Sequence, residues 1–125
     1  MTSPSCEPII VLVVEDELLV RMSAVDLVEE AGFVALEAAN ADDAMAVIEG
    51  HDTDIHIIFT DIDMPGSMDG LGLARTVRDR WPLMRIIVAS GHRTPAQADL
   101  PSGAAFFAKP YDYDKVSETM RRMVS

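Results

Sequence analysis

The sequence predicts an α/β domain built on a doubly wound, five-stranded parallel sheet with helices on both faces. Two observations predict it. Short apolar runs rich in β-branched residues alternate with helical patterns along the whole chain, and strands that alternate with helices imply right-handed crossovers and a parallel sheet. The first run, residues 9–14 (IIVLVV), is continuously apolar rather than alternating, which marks a strand buried on both faces. The 125 residues, 49% of them hydrophobic, suit one domain with a single core layer on each side of a sheet.

The elements follow in order. After the first strand, residues 17–31 place Val20, Ala24, Leu27, Val28 and Ala31 on one helical stripe, and Gly32 is positioned to end that helix. Residues 33–38 read as a second strand. Asn40 is an N-cap for a helix that carries Ala41, Ala44, Met45 and Ile48 on one face and stops at Gly50. Residues 55–60 (IHIIFT) form the third strand. Residues 61–68 are a loop broken by Pro65 and Gly66. The next helix covers residues 69–80, buries Leu73, Ala74 and Val77, and ends before Pro82. Residues 84–89 (MRIIVA) and 104–108 (AAFFA) are the fourth and fifth strands, and residues 113–124 a last helix with Val116, Met120 and Met123 inward. Between the last two strands, residues 94–103 (TPAQADLPSG) hold two prolines and little periodicity; one helical turn is expected there at most, a short or degenerate fourth helix.

Composition narrows the function. The net charge is −11, which argues against nucleic acid and anionic membrane surfaces as partners and favours a metal cation or a protein with a basic or apolar face. No apolar run is long enough to span a bilayer, and the N-terminus lacks the features of a signal peptide. A cytoplasmic protein is expected, with residues 1–7 as a flexible tail and residues 8–125 as the domain. Cys6, the only cysteine, lies in that tail and cannot form an internal disulfide, in keeping with a reducing compartment.

Parallel α/β sheets carry their sites at the carboxyl ends of the strands. Strand one runs into Glu15, Asp16 and Glu17, strand three into Asp61, strand four into Ser90, and strand five into Lys109 and Pro110. Clustered carboxylates repel one another unless a cation neutralises them. Their all-oxygen character favours a hard metal, Mg²⁺ with Mn²⁺ as a substitute, and His51, His56 and His92 have no ligand spacing. A carboxylate can attack phosphorus to form an acyl phosphate. Asp61, central and following an apolar strand, is the best nucleophile. Asp16 suits a direct metal ligand and Glu15 a water-mediated one. Lys109 supplies fixed positive charge, and Ser90 a hydroxyl for a phosphoryl oxygen. Singly, each has a duller reading: Asp16 a helix cap, Asp61 a turn residue, Lys109 an exposed loop lysine, Ser90 turn chemistry. Four of them at four strand ends carry the case.

These residues resemble the response-regulator receiver domain of two-component signalling. The resemblance runs from about residue 8 to residue 124, through VLVVEDE (11–17), FTDIDMPGSMDG (59–70), IIVASGH (86–92) and GAAFFAKP (103–110). It implies a flavodoxin-like sheet in the order 2-1-3-4-5 and a phosphoacceptor role for Asp61. Mg²⁺ would be held by Asp16, Asp61, the backbone carbonyl of Asp63 and, through water, Glu15. Ser90 and Phe106 would be the switch pair, Lys109 the phosphoryl contact, and the bond before Pro110 cis. Asp63 and His92 match positions that tune the lifetime of the phosphorylated form. The donor would be a histidine kinase or phosphotransfer protein, the receiver of the signal a protein, and the module a monomer or weak dimer without an attached output domain. Glu15 stands where Asp is usual, Phe106 where Tyr is usual, and Gly66, Ser67 and Met68 extend the loop beside the site.

Two rival classes remain at this stage. Asp61-Ile62-Asp63 after an apolar strand also resembles the nucleophile motif of haloacid-dehalogenase-like phosphatases, though that family lacks an acidic cluster on its first strand. A degenerate receiver that binds constitutively is the other. A Ca²⁺ loop starting at Asp61 is discarded, because its twelfth position is Gly72 rather than Glu. A phosphorylation switch or a phosphate sink, not an enzyme, is the expectation.

Overall fold

The computed structural model describes residues 8–50, 55–92, 94–96 and 99–125. Residues 1–7, including Cys6 and the expected tail, and His51 lie outside the described residues. Among the described residues the elements are, in chain order, β1 (Ile10–Val14), α1 (Leu18–Glu30), β2 (Val34–Ala38), α2 (Ala41–Gly50), β3 (Ile55–Asp61), α3 (Gly70–Arg80), β4 (Arg85–Ser90), β5 (Ala105–Ala108) and α4 (Tyr113–Val124). The five strands form one sheet in the order β2-β1-β3-β4-β5, and every neighbouring pair is parallel. Among the described residues between β4 and β5 there is no α-helix. There Asp99 N–H donates to Ala96 O and Ala104 N–H to Pro101 O.

The period of two along each strand explains why the central runs are apolar throughout. Leu12, Val14, Ile58, Ile86 and Val88 face one side, where Ala41, Ala44 and Ile48 of α2 and Leu73, Ala74 and Val77 of α3 cover them. Val11, Val13, Ile57, Phe59, Ile87 and Ala89 face the other, under Ala24, Leu27 and Val28 of α1 and Val116 and Met120 of α4. The sheet is therefore doubly wound. Edge strand β2 is correspondingly less buried, with Val34 exposed.

Local chemistry sets the helix ends. Asn40 Oδ1 accepts the Asp43 N–H at 2.8 Å, and Asp69 Oδ1 accepts the Gly72 N–H at 2.9 Å, each satisfying an otherwise orphaned first-turn donor. Gly32 has φ 94°, the left-handed residue that terminates α1 without a Cβ penalty. At the far end of α3, Arg78 Nη1 donates to the carbonyls of Pro82 at 2.7 Å and Met84 at 3.0 Å, binding the helix end to the start of β4. None of the helices among the described residues is long and apolar enough to cross a membrane.

Candidate functional site

The carboxyl ends of β1, β3, β4 and β5 meet, because those strands are neighbours in register: Val14 pairs with Thr60, Asp61 with Ala89 and Ser90 with Ala108. Residues one step beyond, or at, these positions therefore share one edge of the sheet. Ile62 N–H donates to Ala89 O and Lys109 N–H to Ser90 O, both at 2.9 Å, so the backbones carrying Asp61 and Lys109 are tied to β4.

Lys109 Nζ sits between two carboxylates, 2.8 Å from Glu15 Oε1 and 3.1 Å from Asp61 Oδ1. Glu15 and Asp61 are only 4% and 7% exposed. One carboxylate oxygen each from Glu15, Asp16 and Asp61 lie within 4.8 Å of one another. Burial is the largest influence on Asp61 and raises its pKa above the ordinary value, with Lys109 opposing. Glu15 is raised for the same first reason, again opposed by Lys109, with the Asp61 charge adding to the rise. The Lys109 pKa is raised despite burial, by its hydrogen bonds and charges shared with Glu15 and Asp61. One ammonium thus pairs with two of three clustered carboxylates, an unbalanced oxygen cluster whose chemistry fits a hard divalent cation.

Glu15 is positioned from both sides. Its N–H donates to Ala38 O at 3.1 Å, and its carbonyl accepts from Arg21 Nη1 at 2.8 Å, while Arg21 Nε donates to Glu37 Oε1 at 3.0 Å. The loop after Asp61 is held by Gly70 N–H donating to Ile62 O at 2.9 Å and by Ser67 Oγ donating to Asp42 Oδ1 at 2.8 Å. A Cβ on Gly70 would overlap the carbonyl oxygen of Asp61, so only glycine lets α3 begin against that backbone.

The fold brings carboxylate oxygens of Glu15, Asp16 and Asp61 within 4.8 Å of one another and sets Lys109 against Glu15 and Asp61. Ser90 is buried beside them and its Oγ donates to Asp63 Oδ2 at 2.8 Å. His92 is exposed at the rim, with its N–H donating to Ser90 Oγ at 3.2 Å. Phe106, paired in register with Val88, is half-buried against the core under α2 and α3. The Lys109–Pro110 bond is cis. Sequence reasoning missed Arg21, Gly70 and Tyr111. Tyr111 packs on Phe59 at 5.6 Å between ring centroids and lines a small cavity with Glu15, Asp61 and Lys109; burial pushes its hydroxyl up to about 12. An aromatic directly after Lys109-Pro110 was the available signal for Tyr111. Arg21 and Gly70 act on backbone atoms, which no side-chain pattern announces.

Comparison with known proteins places these features in context. The family model for the response regulator receiver domain matches residues 11–121. The chain is 34% identical over 117 residues to the sensor kinase CckA of Brucella abortus, covering 91% of this chain and 12% of that protein. It is 33% identical over 116 residues to an NtrX-like response regulator of Rickettsia bellii, covering 90% and 24% respectively. The chain thus spans less than a quarter of the length of either relative. Among solved structures, a response regulator receiver protein from Pseudomonas putida aligns with TM-score 0.79 and 29% identity, over 92% of this chain and 97% of that one. CheX–CheY–BeF3–Mg²⁺, a complex from Borrelia burgdorferi, aligns with TM-score 0.86 and 26% identity, over 97% and 92%.

Proposed function

The chain belongs to the response regulator receiver domain family, and from that premise we propose that Asp61 accepts a phosphoryl group from a histidine kinase or phosphotransfer protein in a Mg²⁺-dependent reaction. The observation that carries this reading is the convergence of a buried Asp61 with Lys109 and two further carboxylates at one sheet edge. Asp16 and Asp61 would hold the ion directly, with the Asp63 backbone carbonyl, and Glu15 through water; Mn²⁺ would substitute. The bound ion supplies positive charge to the phosphoryl oxygens. A relative's structure containing BeF3 and Mg²⁺ supports that choice of ion.

The Asp61 carboxylate is the nucleophile. Its oxygen forms the new O–P bond as the donor's P–N bond breaks, and the electron pair leaves with the imidazole of the donor histidine, which takes up a proton. Lys109, fixed between Glu15 and Asp61, stabilises charge on the phosphoryl oxygens. The phosphoryl group carries about −1.5 to −2 charges where the Asp61 carboxylate carried one. Ser90 turns its hydroxyl toward them, and Phe106 moves into the vacated space, repacking the surface formed by β4, β5 and α4. This is a switching module labelled once per cycle, not an enzyme turning over phosphate esters. A protein donor has a docking surface next to Asp16, where Leu18, Leu19 and Met22 of α1 are 58%, 77% and 52% exposed.

Mixing the protein with Mg²⁺ and a donor labelled on its phosphohistidine tests the proposal. The label should move to wild type in at most one-to-one ratio and not to Asp61→Asn. Transfer to Asp61→Asn at the wild-type rate, or release of many phosphates per protein without labelling, would contradict it.

A further inference from the structure

Ser90 does not wait unengaged beside Asp61. It is 2% exposed, its Oγ donates to Asp63 Oδ2 at 2.8 Å, and it accepts from His92 N–H at 3.2 Å. A serine hydroxyl has a single proton. That proton is committed to a carboxylate, the stronger kind of acceptor. Asp63 lies two residues beyond Asp61 on the loop leaving β3, and Ser90 one residue beyond Ala89, the register partner of Asp61. Asp63 and a phosphoryl group on Asp61 therefore compete for one proton from neighbouring positions on the same strand end.

We infer that Asp63 is a positioning residue that latches the Ser90 hydroxyl in the resting state and so sets how strongly the phosphoryl group must pull to throw the switch. The inference rests on Asp61 being the phosphoacceptor. It differs from a general charge effect, in which Asp63 would repel a phosphoryl dianion whatever Ser90 did. It also assigns the Asp63 side chain a role separate from its backbone carbonyl, which any residue at 63 would retain.

The two accounts separate in a double-mutant cycle, with fluoroberyllate in the presence of Mg²⁺ as the phosphoryl-like probe and its dissociation constant as the readout. Asp63→Ala should tighten fluoroberyllate binding about tenfold, as expected for loss of a competing charge-assisted hydrogen bond. Asp63→Asn, whose amide oxygen still accepts, should fall between the two. In a Ser90→Ala background, Asp63→Ala should change affinity by less than about twofold, since no hydroxyl remains to release. In the unliganded protein, Asp63→Ala should also shift the His92 amide resonance, because Ser90 Oγ is that amide's acceptor. Equal tightening in both backgrounds, or no tightening in the first, would overturn the latch while leaving the phosphoacceptor reading intact. Fluoroberyllate binding that Asp61→Asn does not weaken would overturn both.

Discussion

Replacing Asp61 by Asn should stabilise the metal-free protein, although it removes half of an ion pair. At 3.1 Å the attraction between Lys109 and Asp61 is about 5 kcal/mol at an effective dielectric near 20. The Glu15 carboxylate lies within 4.8 Å of Asp61 and repels it by about 3.5 kcal/mol on the same scale. Exposed Asp16 adds a screened part of the same. The Coulombic terms nearly cancel, and the desolvation of a carboxylate that is 7% exposed remains, several kcal/mol for a buried ion. Asn keeps an oxygen for Lys109 and sheds the charge. The expected gain is about 1.5 kcal/mol at pH 7 or about 5 °C in Tm for a domain of this size. The pH dependence has a definite sign. Burial raises the Asp61 pKa in the folded state, so the folded protein holds that proton more tightly than the unfolded chain does. The associated stability is fully present below the ordinary carboxylate pKa and is lost as pH rises through the raised value. The advantage of Asn should therefore be full at neutral pH and vanish toward pH about 4. Thermal and urea unfolding in chelator-treated buffer from pH 4 to 8 measures it. A loss of about 1 kcal/mol or more at pH 7 would show that the ion pair outweighs burial and repulsion and would refute the reasoning.

The remaining predictions concern neighbouring residues. Lys109→Met leaves buried Glu15 and Asp61 without their cation and should cost about 3 kcal/mol at pH 7, less at pH 4, as read by urea unfolding; an unchanged midpoint would remove Lys109 from the balance. Gly70→Ala pushes a methyl into the Asp61 backbone and should cost about 2 to 3 kcal/mol, with a matching loss of Mg²⁺ affinity by titration. Leu19→Asp should slow phosphotransfer from a protein donor about tenfold, the size of a modest interface hot spot, and leave labelling by a small phosphodonor unchanged; equal slowing of both would place Leu19 outside the docking surface. Asp16→Ala should weaken Mg²⁺ binding more than Glu15→Ala, because Glu15 is already bound to Lys109; the reverse order would exchange their assigned roles.

Most of the architecture was legible because the sheet is buried on both faces. Runs such as IIVLVV admit few readings, and Gly32 and Asn40 mark helix boundaries through conformations or caps that few residues supply. The strand-end rule alone places Glu15, Asp16, Asp61 and Lys109 at one edge of the sheet. What escaped the sequence works through backbone atoms or distant side chains. Arg21 is one of several charges on an amphipathic helix until its hydrogen bond to the Glu15 carbonyl is seen. Gly70 reads as a helix-starting glycine, and its contact with Asp61 depends on the angle between β3 and α3. The Ser90–Asp63 hydrogen bond joins residues 27 apart, a pairing set by rotamers rather than by spacing.

The most direct test of the central claim is the intact mass of wild type and Asp61→Asn after incubation with a small acyl or amide phosphodonor, with Mg²⁺ and with chelator. Wild type should gain the mass of one phosphoryl group with Mg²⁺ alone, and peptide mapping should place it on Asp61. The same gain on Asp61→Asn, or labelling of wild type that is indifferent to Mg²⁺, would contradict the account.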